Sequence, residues 1–391
     1  MGVRFSRRTN WTRSVNAVTT CRQDIASSAE SLLDLTISNP TRCGLPDDPV
    51  INEEALEGLG RIEYRPDPKG IPEARQEVAR YYAGKGMEVP PDRIFLTAST
   101  SEAYTYAFRL LADPGDGVGF GRPGYPLFDF LADVNDVVAC HYDWRYRRGR
   151  WRLSLERLEG AAVPLKALVG VHPNNPTGAF ITPEDRKRLN QWCAAHQAAL
   201  IVDEVFHDFI LEGEAPSSFV SNDEVLTFVL GGLSKTLALP QMKLSWMVLS
   251  GPDPEVEEAC ARLEIIADTY LSVNTPAQMR LSRWLDRRIP VQEGLLARLR
   301  RNERVARAVL DKTAAQWLAP EGGWSGVIRL PDGWDEEETV LRLMRQEGVV
   351  VQPGYFFDFQ EEGLVVVSLL TDPEVFDEGM RRLARILKTL E

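Results

Sequence analysis

The chain has 391 residues, enough for one large and one smaller domain, and its hydrophobic content of 44% can bury substantial cores. Its formal charge of -12 argues against a general nucleic-acid binder, because such proteins need a basic face to displace counterions. No apolar run approaches the roughly 18 residues of a membrane span. We therefore expect neither a nucleic-acid partner nor a membrane.

The middle of the chain alternates short apolar runs with longer helical patterns. Strands are predicted at 94–97, 117–120, 166–171, 198–203, 225–230 and 245–250, and helices at 101–113 and near 183–197 and 254–267. Such alternation predicts an α/β fold, in which helices cover both faces of a mostly parallel central sheet.

The C-terminal third has a different pattern. Arg/Glu-rich helical stretches flank short strands such as GVIRL and LVVVSLL, which indicates a smaller α+β domain. We predict an N-terminal arm at 1–48, a large domain at 49–284 and a small C-terminal domain at 285–391. The first 23 residues carry five arginines and no acid, a composition also seen in transit peptides, but Trp11 favours an ordered arm.

The cysteines and histidines form no pattern typical of disulfides or metals. Five cysteines are scattered without a CxxC pair, which favours a reducing compartment, so we expect a cytoplasmic protein. The four histidines form no HExxH or comparable ligand pair. We predict no bound metal.

Three polar residues follow predicted strands at the edge where such sheets bind ligands. Lys235 lies just beyond the strand 225–230, Asp203 ends the strand 198–203, and Asn175 follows the strand 166–171. Each has an ordinary structural explanation on its own, since the lysine could face solvent, the acid could cap a turn and the amide could begin one. Their convergence at one edge favours a shared binding site.

Two further features sit at the same edge. Tyr125, in RPGYP after the strand 117–120, would present an aromatic face to a ligand. The helix after the strand 94–97 opens with free backbone N–H groups, which favour a phosphate, at Ser99, Thr100 and Ser101. A phosphate seat, an aromatic ring, an amide, a buried acid and a lysine match the needs of pyridoxal 5'-phosphate (PLP).

The chain resembles a known family at these residues. The motifs NNPTG (174–178), DEVF (203–206) and SK (234–235) are similar in order and spacing to those of the class I/II aminotransferases, which are fold type I PLP enzymes. The resemblance implies transfer of an amino group from an amino acid or amine to a keto acid or other carbonyl acceptor. It covers nearly the whole chain through LTISNP (35–40), YRPDPKG (64–70) and VQPG (351–354).

The resemblance also implies individual roles. Lys235 would form the Schiff base and shuttle the proton, Asp203 would pair with the pyridinium, and Asn175 would bind the ring's 3-oxygen. Tyr125 would stack on the ring. Tyr64 would reach the phosphate of the neighbouring subunit, which implies a homodimer with shared active sites.

Positions near the cofactor depart from the family pattern. Lys243 stands where an arginine commonly grips the phosphate, and a lysine keeps the charge without the planar fork. Gly232 replaces an expected hydroxyl three residues before the lysine. Phe206 lacks the phenol that usually binds the 3-oxygen.

The substrate side departs further. Val366 stands where the family has the arginine for the substrate carboxylate, so Arg329 and Arg22 are candidate replacements. Ser38 lies in the loop expected near the same carboxylate. Because that contact orients the substrate, another fold type I reaction (β- or γ-elimination, decarboxylation or synthase chemistry) stays open as an alternative. A regulatory binder is disfavoured, since the arm shows no basic helix-turn-helix.

Overall fold

A larger and a smaller β-sheet, with a two-stranded pair beside them, organise the protein, which is described here from a computed structural model covering residues 6–12, 14–27, 32–45, 62, 64–214 and 216–388. The strands are β1 (Leu33–Asp34), β2 (Ile94–Thr97), β3 (Gly117–Arg122), β4 (Val138–Arg147), β5 (Arg150–Ser154), β6 (Leu165–Val171), β7 (Ala199–Asp203), β8 (Thr227–Gly232), β9 (Ser245–Ser250), β10 (Gln316–Leu318), β11 (Ser325–Arg329), β12 (Val349–Val350), β13 (Gln352–Pro353) and β14 (Leu364–Ser368). The helices are α1 (Ala17–Ser27), α2 (Pro72–Ala83), α3 (Thr100–Leu111), α4 (Phe128–Val134), α5 (Pro183–His196), α6 (Leu233–Thr236), α7 (Asp253–Asp268), α8 (Thr275–Asp286), α9 (Arg288–Leu310), α10 (Glu336–Glu347) and α11 (Pro373–Lys388).

The larger sheet has eight strands in the order β2-β9-β8-β7-β6-β3-β4-β5. The run from β8 through β7, β6 and β3 to β4 is parallel, whereas β9 runs antiparallel to both of its neighbours. The predicted α/β class and mostly parallel sheet are confirmed. The six strands predicted between residues 94 and 250 lie within two residues of their observed bounds.

Burial on both faces explains why these strands are apolar throughout. In β7, Leu200 and Val202 enter the core shared with α2, α5 and α8, whereas Ala199 and Ile201 enter the core shared with α3 and α7. Alternate side chains thus face opposite layers of helices, and all need to be apolar until Asp203 ends the strand.

The hairpin of β4 and β5 is an element that the sequence reading missed. Its two turn residues, Arg148 and Gly149, both have positive φ, as a two-residue turn between twisted antiparallel strands requires. The alternation in CHYDWRYRRGRWRLS carried this signal. The hairpin extends the far edge of the sheet, away from β8.

The smaller sheet is antiparallel, in the order β10-β11-β14-β13, and packs with α9, α10 and α11. The arm contacts both parts of the molecule: β1 pairs with β12, while the Trp11 indole donates to Asp133 at 2.7 Å and its ring contacts Phe130 on α4. The domain limits stay a prediction, because 48/49 lies outside the described residues and 284/285 falls inside α8.

Two global features complete the fold. None of the helices described is both long and apolar enough to cross a membrane. The five cysteines are all free thiols, three of them buried.

Candidate active site

A cavity of about 310 Å³ opens at the carboxyl ends of the central strands, between the two sheets. Its large-sheet wall includes Thr100, Ser101, Tyr104, Tyr125, Asn175, Asp203, Gly232, Ser234, Lys235 and Ser245. Its small-sheet wall comprises Thr36, Ser38, Trp324, Ser325, Gln352, Val367 and Ser368. The cavity therefore brings together most of the residues expected to bind a cofactor.

Asp203 is the buried acid of the large-sheet wall. The Tyr104 hydroxyl donates to its Oδ2 at 3.0 Å, and the Val205 backbone N–H donates to its Oδ1 at 3.1 Å. Burial raises the pKa of the carboxyl to about 6, against the opposing effect of these two donors and of Lys235. The site thus holds an acid that a cationic partner would convert to its ionised form.

Lys235 lies on α6, the short helix that directly follows β8. Its Nζ is 5.0 Å from the centroid of the Trp324 ring and 5.5 Å from that of Phe206. Burial lowers the pKa of the amine, and the charge of Asp203 partly opposes this shift. A lower pKa increases the neutral, nucleophilic fraction of the amine.

Asn175 and its neighbour have different tasks in the turn after β6. Asn174 forms the turn itself, since its carbonyl accepts from Gly178 and its side chain accepts from Thr177. The Oδ1 of Asn175 instead accepts from the Ser325 hydroxyl at 3.2 Å. Among the described residues, no hydrogen bond uses the Nδ2 of Asn175, so this N–H₂ group is available to a ligand in the cavity.

The start of α3 provides the expected anion seat. Ser99 caps the helix through a hydrogen bond from Glu102 N–H at 3.2 Å, and it does not line the cavity. Thr100 and Ser101 do line it, and their backbone N–H groups have no acceptor among the described residues. The Glu102 carboxylate accepts from Ala98 N–H and the Ser272 hydroxyl, which hold it in place behind the turn.

The two expected tyrosines lie in different places. Tyr125 lines the cavity and packs edge-to-face on Phe128, with ring centroids 5.7 Å apart. Burial, and then the charge of Asp203, raise the pKa of its phenol. Tyr64 is 70% exposed and lies outside this cavity.

Several sequence candidates do not reach the cavity. Lys243 is exposed, in a left-handed conformation just before β9, and it does not line the cavity. The guanidinium of Arg329 pairs with Glu361 at 2.7 Å, and Arg22 pairs with Asp34. Among the residues placed in the structure, Lys235 is the one cationic side chain on the cavity wall, and no arginine lines it.

A core residue, Val366, occupies the position where the family has the arginine for the substrate carboxylate. Val366 is 1% exposed within β14, and its neighbours Val367 and Ser368 line the cavity instead. Ser38 reaches the wall as expected, but its surroundings there are uncharged. The small-sheet wall therefore offers hydroxyl and amide groups without a formal charge.

The sequence analysis missed several wall residues, among them Thr36, Gln352, Tyr104 and Trp324. Thr36 and Gln352 stand inside the LTISNP and VQPG motifs, so the motifs themselves could have indicated them. Tyr104 lies one turn into α3, where the helical period returns it to the face of Thr100. Trp324 follows a Gly-Gly pair before β11, and this pair does not indicate which way the indole ring points.

A second buried cluster, behind the cavity, consists of His172, Glu204 and His207, whose ligand-type atoms lie within 4.8 Å of one another. Ile181 N–H donates to His172 Nδ1 at 2.9 Å, so the neutral ring carries its proton on Nε2 and has no lone pair there for a metal. Both oxygens of Glu204 accept hydrogen bonds, from the Ser218 hydroxyl and Phe219 N–H. This chemistry favours a hydrogen-bonded core over a metal site.

Comparisons with known proteins agree with this geometry. The glutamate-pyruvate aminotransferase AlaA of Escherichia coli K12 is 25% identical over 374 residues, which cover 93% of this chain and 92% of that protein. The alanine aminotransferase of Mycobacterium tuberculosis H37Rv is 26% identical over 346 residues, covering 86% and 80%. The structure of alanine aminotransferase from Pyrococcus furiosus has a TM-score of 0.89 at 22% identity, covering 98% of this chain and 100% of that one.

A family match defines the reaction class. Residues 32–383 match the family described as aminotransferase class I and II. The family resemblance, the fold and the aminotransferase activity expected from the sequence are confirmed. The chain belongs to the class I and II aminotransferases.

Proposed function

We propose that this aminotransferase binds PLP in the cavity between its two sheets and uses it to move an amino group from an amino acid or amine donor to a keto acid or carbonyl acceptor. The observation that carries the proposal is the presence of half-buried Lys235 and buried Asp203 in one cavity with the open N-terminus of α3.

The residues fit the parts of PLP. The free N–H groups of Thr100 and Ser101 suit its phosphate, and the phenyl ring of Tyr125 suits the face of its pyridine ring. Asp203 has two donors and a raised pKa, so a cationic ring nitrogen would stabilise its ionised form. A charge pair of this kind is worth on the order of 4 kcal/mol at 4 Å and an effective dielectric constant of 20.

The chain's own groups have defined tasks in this proposal. Bound PLP supplies an electron sink for the bond that breaks at the donor's carbon. Asp203 keeps the ring nitrogen protonated, and the amide of Asn175 orients the ring's 3-oxygen. The Lys235 amine holds the cofactor covalently between turnovers and, once displaced by the donor, moves a proton at the donor's carbon.

The donor site is proposed to work without an arginine. The relatives reported above are named for glutamate, pyruvate and alanine, whose carboxylates need hydrogen-bond donors. Here the small-sheet wall offers the side chains of Ser38 and Gln352, which are neutral, whereas the Ser368 hydroxyl already donates to Ile37 C=O at 2.6 Å. Neutral donors bind a carboxylate less strongly than a guanidinium fork does. We therefore propose a small donor whose carboxylate contributes little affinity.

A homodimer with shared active sites is also part of the proposal. Tyr64 is available to reach a partner's phosphate. The region from α7 to α9 exposes apolar side chains suited to an interface, namely Ile265, Tyr270, Leu271, Met279 and Ile289. The cytoplasmic location expected from the free cysteines stays a prediction.

The test is a single turnover of PLP-loaded enzyme without acceptor, followed by absorbance, with amino acids and their decarboxylated amines as donors. Stoichiometric conversion of PLP to pyridoxamine phosphate is expected. Product formation with PLP regenerated would instead indicate elimination, decarboxylation or synthase chemistry. Failure of the purified chain to bind PLP would overturn the proposal.

A further inference from the structure

Two glycines end β8, and each is covered by a side chain of the facing strand. Gly231 opposes Trp246 and Gly232 opposes Ser245 in the antiparallel register of β8 and β9. A Cβ built on Gly231 would lie within 3.0 Å of the Trp246 indole, and one built on Gly232 would lie within 3.0 Å of the Ser245 hydroxyl. The side chains of β9 thus occupy the space that side chains at the end of β8 would fill.

The φ of Gly232 is 171°, an extended value that any residue adopts, so its backbone does not require glycine. What excludes a side chain there is Ser245, whose hydroxyl and Cβ both lie within 3.0 Å of the Cβ position. The hydroxyl that is absent three residues before Lys235 is therefore present at nearly the same point in space, carried by the neighbouring strand.

Ser245 also lies beside the anion seat. It is the register partner of Thr97 in β2, the strand that leads directly into the turn and into α3. Ser245 lines the cavity together with Thr100, Ser101 and Ser234. The serine thus stands between the end of β2 and the end of β8, the two segments that carry the anion seat and the lysine.

The hydroxyl of Ser245 has no other task in the described parts of the chain. The residue is only 2% exposed, yet no hydrogen bond of its Oγ is found there. A hydroxyl that lines the cavity without a protein partner is free to donate to a ligand bound there. Lys243, the cation expected to grip the phosphate, does not line the cavity, which increases the need for neutral donors.

We propose that Ser245 is a phosphate-binding residue of the cofactor site, its hydroxyl replacing the one missing at Gly232. This inference rests on the proposed binding of PLP. The Ser245 Oγ donates a hydrogen bond to a phosphate oxygen, alongside the backbone N–H groups of Thr100 and Ser101. The phosphate contact has moved from one strand to its antiparallel neighbour, with the location of the oxygen kept.

The experiment measures binding of PLP and of pyridoxal, which lacks the phosphate, to cofactor-free enzyme by equilibrium dialysis. Ser245→Ala should weaken PLP binding about tenfold, because a hydrogen bond to a charged group is lost. Its affinity for pyridoxal should stay within about twofold of wild type. The double variant Gly232→Ser/Ser245→Gly, which returns the hydroxyl to β8, should recover most of the PLP affinity.

The matched control is Ser250→Ala, at the other end of β9, where the buried hydroxyl donates to Phe219 C=O at 3.0 Å. This variant should lose stability while keeping both affinities. Ser245→Ala should keep the unfolding temperature of the cofactor-free wild type, since its hydroxyl has no protein partner to lose.

Three outcomes separate the proposals. Unchanged PLP binding by Ser245→Ala would overturn this inference alone. An equal loss of PLP and pyridoxal would also overturn it, because the serine would then only fill space beside Gly232. A wild-type enzyme that binds no PLP would overturn the proposed function, and this inference with it.

Discussion

The two walls of the cavity differ in chemistry. The large-sheet wall carries two ionisable side chains, half-buried Lys235 and buried Asp203, at the ends of adjacent parallel strands. The small-sheet wall presents hydroxyl, amide and apolar groups, with core at Val366 where a guanidinium was expected. Under the proposed function, the large-sheet wall would serve the chemistry shared by the family, and the small-sheet wall would select the substrate with different groups.

The largest effect should come from the lysine of the large-sheet wall. Lys235→Ala removes the only group proposed both to bond the cofactor and to move the proton, so turnover should fall below detection. The variant should fold, because the loss of a buried amine removes a desolvation cost. Lys166→Ala, which changes a lysine on β6 outside the cavity, is the control and should retain wild-type kcat in a steady-state assay. Residual turnover of more than a trace in Lys235→Ala would remove this residue from the mechanism.

A smaller but still large effect is expected at the acid. Asp203→Asn removes a charge interaction on the order of 4 kcal/mol, so kcat/KM should fall about a thousandfold. Asp208→Asn is the matched control: Asp208 is half-buried and paired with Lys85 at 2.6 Å, but it does not line the cavity. That variant should lose stability and keep kcat within a few-fold. Equal kinetic losses in both variants would mean that Asp203 acts only through the fold.

The same carboxyl gives a pH test of the large-sheet wall in the cofactor-free enzyme. Burial raises the pKa of Asp203 from 3.8 to about 6, so between these values the folded state binds more protons than the unfolded state. Its contribution to the free energy of unfolding is therefore largest below about pH 4 and is lost as the pH rises to 6. This rise in the pKa of Asp203 corresponds to roughly 3 kcal/mol in the free energy of unfolding.

The measurement is urea unfolding at a series of pH values, with the difference between wild type and Asp203→Asn isolating this group. The free energy of unfolding of the wild type minus that of Asp203→Asn should fall from pH 4 to pH 6 in cofactor-free protein. Bound PLP should reduce or reverse this fall, because the proposed ring cation favours the ionised form of Asp203. A difference independent of pH would show that Asp203 is ionised in the empty site.

The same contrast between the walls separates what the sequence could predict from what it could not. Lys235, Asp203 and Asn175 follow buried parallel strands, and strand order alone brings such positions to one edge. Arg329 sits at the end of a strand in the small sheet, and nothing in its local pattern reveals that Glu361 pairs with it and keeps it outside the cavity. Its location depends on side-chain direction and on contacts between distant segments.

Loops and register set the other limits of prediction. The phosphate-binding role expected for Lys243 rests on its distance from Lys235 along the chain, but the left-handed turn before β9 leaves Lys243 at the surface. Predicting that Ser245 lies opposite Gly232 requires the register between β8 and β9, and the sequence pattern of a single strand does not contain that register. Phe206 was recognised as lacking a phenol, but its contact with the Trp324 ring became visible only in three dimensions.

The smallest effects should come from the small-sheet wall, and they test whether neutral groups really replaced an arginine. Arg329→Ala should leave KM for any amino acid donor within about twofold of wild type, since its guanidinium pairs with Glu361 outside the cavity. Gln352→Ala removes a neutral amide from the wall and should raise KM several-fold for an amino acid donor, but not for the corresponding decarboxylated amine. Steady-state kinetics on matched pairs of amino acid and amine measure both. If Arg329→Ala raises KM for the amino acid but not for the amine, this arginine reaches the substrate during turnover, and the small-sheet wall is charged after all.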